Sequence, residues 1–203
     1  MPGQQTLSEL AGLFADGGPV MFILAFIAVV LYSTATAALF FVSKSDLTTK
    51  RQNLWANWIK QPTSAEGRDG EIIRYALHGS RISTATVERR FDEIREVVLN
   101  SIDRRLIIIG SLIAVAPMAG LLGTVGGMLD MFDGLANASG KKSMDKIQSG
   151  MMESLLSPLT GLVIALPGMF LALHIRQKRN WIAAALMQLE SAILTTRFKE
   201  VQS

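Results

Sequence analysis

One carboxylate, Glu153, leads the apolar run MESLLSPLTGLVIALP (residues 152–167), and hydroxyls follow at Ser157 and Thr160. Spacings of four and three put these residues on one helical face, together with Ile164 and Gly168. That face is unusually polar for lipid exposure, with the carboxylate at its outer end and the hydroxyls continuing a hydrophilic path inward. A second stretch, PMAGLLGTVGGMLDMF (117–132), sets Thr124 among four glycines. Gly120, Gly123, Thr124 and Gly127 share a face, and Gly123 with Gly127 makes a GxxxG pair. Helices in lipid gain nothing by hiding apolar surface from one another, so small residues that permit close approach must hold them together. The same glycine spacing serves ordinary helix packing equally well. A carboxylate at a helix start is equally what a surface charge favoured by the helix dipole would look like.

These residues need elements to position them, and the composition says which. The chain has 203 residues, 49% hydrophobic and 18% charged, with no cysteine. The charges are segregated from three uncharged blocks, 18–42, 106–129 and 154–173. Each is about the twenty residues a helix needs to cross ~30 Å of hydrocarbon. Residues 1–17 carry no Lys or Arg, and the apolar run is too long for an h-region. A cleavable signal peptide is therefore a poor reading of the first block, and three uncleaved spans are expected. Twelve Lys and Arg lie between the first two blocks, three at 141–146 and five after the third. The positive-inside rule then turns the N-terminus and the short loop outward, and the long loop and C-terminal tail toward the cytoplasm.

The fold expected is all-α and integral to the membrane, with three transmembrane helices and long cytoplasmic helical extensions. The segments are an outward N-terminal stretch (1–17), a first span (18–42), a cytoplasmic loop and helix (43–105) and a second span (106–132). A short outward loop (133–153), a third span (154–175) and a cytoplasmic C-terminal helix (176–203) complete the chain. Leu7, Leu10, Leu13 and Phe14 fall on one face and suggest a short surface helix. QPTSAEGRDG (61–70) reads as a loop. Val87, Phe91, Ile94, Val98 and Ile102 form an apolar stripe that enters the second span unbroken. Ile182, Leu186, Leu189 and Ile193 do the same beyond the third. Each stripe needs a partner, and the simplest is the other, in the same subunit or a neighbour.

Other chemistries find no footing. SGKKS (139–143) has Lys142 where a phosphate loop needs Ser or Thr, and no strand precedes it. His78 and His174 stand without metal-ligand spacing. The basic loop lacks the interleaved aromatics of a nucleic-acid reader. No enzyme activity, cofactor, metal or nucleic acid is expected.

With those residues on the page, AGLLGTVGGML (119–129) resembles the signature of the MotA/TolQ/ExbB proton-channel family, and MESLLSPLTGLVIALP resembles its second segment, which closes on Gly161, Leu162, Ala165, Leu166 and Pro167. The likeness is closest to the three-span ExbB and TolQ members. It implies a ring-forming homo-oligomer, usually a pentamer, in the bacterial inner membrane. The ring would surround single-span partners of the ExbD or TolR type, which carry the protonatable aspartate, and would work with a TonB-like protein. Proton flow would then drive work on TonB-dependent import, on envelope maintenance or on motility. By the same resemblance Thr124, Glu153, Ser157 and Thr160 would line the proton path facing the partner. Gly120, Gly123, Gly127, Gly161 and Pro167 would pack helices, with the glycine face letting spans of neighbouring subunits approach and slide. Pro158 stands where the family usually has threonine, and Thr160, two residues on, would supply the missing hydroxyl on a shifted face. A non-conducting membrane scaffold is the alternative from another class.

Overall fold

A computed structural model describes residues 17–44, 55, 58–59, 61, 67–78, 83–136 and 141–198. The surface helix expected before residue 17 lies outside the described residues. Four helices account for nearly all of the described chain: α1 (Gly18–Lys44), α2 (Gly67–Ala76), α3 (Thr84–Ala136) and α4 (Lys141–Phe198). No strand occurs among the described residues. Helices α1, α3 and α4 are each long and apolar enough to cross a membrane, with peak mean hydropathies of 2.2, 2.3 and 1.9. The protein is therefore an all-α membrane protein with three spanning helices.

Two expected boundaries move. The short loop 133–153 is mostly helix, because α3 runs on to Ala136 and α4 begins at Lys141. The physical reason is that lack of charge marks where lipid begins, whereas helix needs only propensity and packing. Gly150 lies against the Gly127 carbonyl and Met131, so the two helices stay in contact past the apolar run. Lys146 also pairs with Asp133 across them. The second shift is in 61–70, where GRDG (67–70) forms the first turn of α2. Gly67 takes a φ of 76° there, a left-handed entry that glycine permits. Ile72, Ile73 and Ala76 are buried behind it.

The chain divides into two compact units, one of residues 1–36 and 107–172, the other of 37–106 and 173–203. In the first, Leu24 and Leu31 of α1 are fully buried, and Ile27 packs with Ala116 and Ala165. The Tyr32 hydroxyl donates to the Ile164 carbonyl at 3.1 Å, so one polar group of α1 finds a backbone acceptor on α4.

In the second unit the two apolar stripes are largely buried. Val87, Phe91 and Ile102 of α3 are fully enclosed, as are Leu186, Leu189 and Ile193 of α4. Ion pairs tie the same two helices: Arg95 to Glu190 at 2.6 Å, and Arg179 to Asp103 at 2.8 Å. The Asp103 carboxylate accepts from both Nε and Nη2 of Arg179, and this pairing holds the guanidinium charged. The stripes thus find their partners within one chain.

Arg90 fastens α2. Its guanidinium donates to the carbonyls of Tyr75, Ala76 and His78 and lies 5.7 Å from the Tyr75 ring. These are the acceptors a helix end leaves unsatisfied. The Tyr75 hydroxyl in turn donates to Glu93, whose carboxylate pushes the phenol pKa up. Arg90→Met keeps the side-chain stem and removes the donors. Its expected result is about tenfold faster hydrogen exchange in α2, the equivalent of ~1.4 kcal/mol. Exchange within 84–136 should be unchanged, and an unaltered α2 would show that packing of Ile72 and Ile73 suffices without the clamp.

Candidate functional site

The site is built where α1 begins and where α3 and α4 run closest. Glycines set that closeness. A Cβ on Gly120 would come within 2.7 Å of the Ser157 carbonyl oxygen and 2.9 Å of the Pro158 Cα. One on Gly161 would come within 2.6 Å of the Ala116 carbonyl oxygen and 3.1 Å of the Pro117 Cα. Each helix therefore lays a glycine against the other's proline. Pro117 and Pro158 both lie inside their helices and lack the amide that an interior helical residue donates. The opposed glycine admits that backbone. Pro158, where the resembled motif has threonine, is in this way part of the helix contact.

The glycine face is thus occupied inside the chain, against α4, and does not supply the surface for a neighbouring subunit that the sequence led us to expect. The reason lies in α4 itself. Gly150, Ser154, Ser157 and Gly161 bring a complementary small-residue face to α3, and the short connection between the helices makes that face the nearest available. Gly120, Gly123, Gly127 and Gly161 are all buried, while Pro167 is exposed.

Glu153 and Ser157 lie at this contact. Glu153 is 7% exposed and Ser157 fully buried. The Glu153 carboxyl occupies the space where a side chain on Gly18 would stand, and Gly126 passes close by. Gly18 opens α1 with a φ of 66°, so the carboxyl lies at the helix end that bears free amides and the positive pole. One turn along α4, the Ser157 side chain fills the place of a Gly123 side chain. Its hydroxyl oxygen has no hydrogen-bond partner among the described residues. A buried, unpartnered hydroxyl costs about 1–3 kcal/mol, and water or a proton-carrying neighbour would relieve it.

Thr124 and Thr160 differ from this pair. Both are half-buried, and both hydroxyls donate to their own helix, Thr124 to the Leu121 carbonyl at 2.7 Å and Thr160 to the Leu156 carbonyl at 2.9 Å. Their oxygens keep lone pairs free for an outside donor. The structure therefore brings Glu153 and Ser157 together in an enclosed position and leaves Thr124 and Thr160 reachable from outside. Asp130 is exposed.

Sequence reasoning missed Gly18, Gly126, Gly150 and Ser154. The pair Gly17-Gly18 ahead of an apolar block was a visible helix-start signal, but nothing in the sequence linked it to residue 153. Among the described residues no cluster of metal-ligating side chains occurs. What the arrangement can do is bind and release a proton at one enclosed carboxyl and pass it along hydroxyls.

Compared with known proteins, residues 64–188 match the model of the MotA/TolQ/ExbB proton channel family. That interval contains every site residue named above except Gly18. No individual curated protein matches the chain.

Proposed function

The chain belongs to the MotA/TolQ/ExbB proton channel family, and from that premise we propose that it is the channel-forming, stator-type subunit of an inner-membrane motor, working with a single-span ExbD- or TolR-type partner to energise TonB-dependent import. Several copies form a ring, the partner helix stands within it, and protons pass along the surface between them. The N-terminus and the ends of α3 and α4 at Ala136 and Lys141 face outward, and the basic segment 43–105 with the C-terminus faces the cytoplasm. Glu153 is the proton-handling group this chain contributes, Ser157 continues the path, and Thr124 and Thr160 meet the partner.

The observation that best supports this reading is the pairing of an enclosed carboxyl with an orphaned hydroxyl one turn away, in a helix otherwise free of charge to residue 176. A membrane helix that needed only to pack would avoid the cost of both. The second reading, a scaffold that oligomerises without conducting, draws on a different observation: the site's small residues are satisfied by packing within the chain.

Co-purification with the product of the adjacent gene, followed by native mass spectrometry, separates the two. A ring of this chain holding an aspartate-bearing single-span protein is the expected result. A homo-oligomer that retains no such protein would favour the scaffold. The partner's identity would also distinguish a TonB-type role from a Tol-type or motility role.

A further inference from the structure

Lys and Arg gather where the two long uncharged runs end. On α3 the last charged residues before the run are Asp103, Arg104 and Arg105, and on α4 the first after it are Arg176, Lys178 and Arg179. The pairs Asp103–Arg179 and Arg95–Glu190 show that α3 and α4 are antiparallel here, and they put these two clusters at the same level. Among the described residues Asp103 is the single carboxylate at that level, and Arg179 engages both its oxygens. No Asp or Glu occurs on α4 between Glu153 and Glu190, nor on α3 between Asp103 and Asp130. Among the described residues, Arg104, Arg105, Arg176 and Lys178 consequently face no carboxylate of their own. Arg104 and Arg176 are exposed, and Lys178 is half-buried. Arg105 lies 5.0 Å from the Phe41 ring, which holds its guanidinium beside the end of α1. Trp181, one turn beyond Lys178, is 64% exposed, an amphipathic ring of the kind that settles at headgroup depth.

Cations with no carboxylate partner among the described residues stand on two helices at the edge of the hydrocarbon run, with an exposed indole about one turn further out. We propose that this belt is a binding site for anionic phospholipid, with Arg104, Arg176 and Lys178 meeting the headgroup phosphate, Arg105 flanking it and Trp181 packing against the outer side of the headgroup. The charge is complementary and the depth is that of the headgroups. Arg179 does not take part, because Asp103 already claims it. The site is independent of proton transfer and needs no partner protein, so it stands or falls apart from the channel reading.

The test uses the full chain in neutral detergent, with native mass spectrometry counting phosphatidylglycerol retained against phosphatidylcholine of the same acyl length. The expected result is a preference for phosphatidylglycerol that weakens as ionic strength rises, with about a fivefold loss for each cation removed. The variant R104Q/R176Q/K178Q should lose the preference and hold phosphatidylcholine as before. R104K/R176K, which keeps the charges, should retain most of it. Equal retention of the two lipids by the natural chain, or a preference insensitive to salt, overturns the proposal without recourse to any variant. So does a triple variant that folds and still selects phosphatidylglycerol. Displacement of the lipid by inorganic phosphate would reveal a simple anion site, and that too counts against it.

Discussion

Glu153→Gln is expected to abolish proton-driven work while leaving the assembly intact. Glutamine has the same shape as a protonated glutamic acid, so it can occupy the same space over Gly18 and beside Gly126 without repacking. It cannot release a proton. If Glu153 carries protons, flux in vesicles containing this chain and its partner should fall by at least ~100-fold, the lower range for loss of a positioned acid–base group. The energy at stake per step is small, about 2.3 kcal/mol for one charge crossing 100 mV, so a motor of this kind depends on every step being completed. A pH-sensitive dye inside the vesicles reads the flux, and native mass spectrometry reads the ring. Loss of both readouts would mean that Glu153 is a packing residue. Undiminished flux in an intact ring would remove it from the proton path altogether. Ser157→Ala is the companion variant: its hydroxyl has no partner to lose, so stability should hold or rise while flux falls.

Much of the architecture was legible because membrane insertion imposes a coarse pattern. Three uncharged runs gave three spanning helices, and the stripes from Val87 to Ile102 and from Ile182 to Ile193 gave the helical extensions. Residues from about 86 to about 131 read as one helix because no breaker separates the stripe from the second span. The structure extends that helix to Thr84–Ala136, with lipid enforcing helix around Pro117. The extent of α4 toward residue 141 was hidden, since KKSMDKIQSG is polar and only contact with α3 makes it worth forming. Helix α2 was hidden for a related reason: ten residues with a glycine start carry little signal of their own, and the Arg90 clamp that completes them lies 14 residues away. At the site, the residue types of Glu153, Ser157 and Thr160 were plain. Their orientations were not. A spacing of four and three places three side chains on one face but does not say whether that face meets another subunit or the same chain. Gly18 decided it for Glu153, and no periodicity joins residue 18 to residue 153.

Gly120→Ala is the other change with a large expected effect, this time on stability. The added methyl would meet the Ser157 carbonyl oxygen at 2.7 Å and the Pro158 Cα at 2.9 Å. Both are backbone atoms, so no rotamer change relieves the clash. The helices must separate, and separation weakens the neighbouring contacts at Gly123, Gly127 and Gly161 as well. Overpacking of this kind costs about 1–3 kcal/mol, which for a chain of this size lowers the melting temperature by roughly 2–12 °C. Gly110→Ala on the same helix supplies the comparison, since a Cβ there meets nothing within 4 Å. It should be neutral or raise stability by up to ~1 kcal/mol, because alanine is the better helix former. Thermal unfolding of the two variants in the same detergent decides the matter, and equal behaviour would mean that α3 and α4 are not in the close contact described. Because Ser157 lies between Gly120 and Gly123, the same separation would open the enclosure around its hydroxyl to water or lipid. Gly120→Ala should therefore leak or lose proton flux even at temperatures where it remains folded, whereas Gly110→Ala should not. Close packing of α3 on α4 would then be what keeps a proton at Glu153 from escaping to the wrong side.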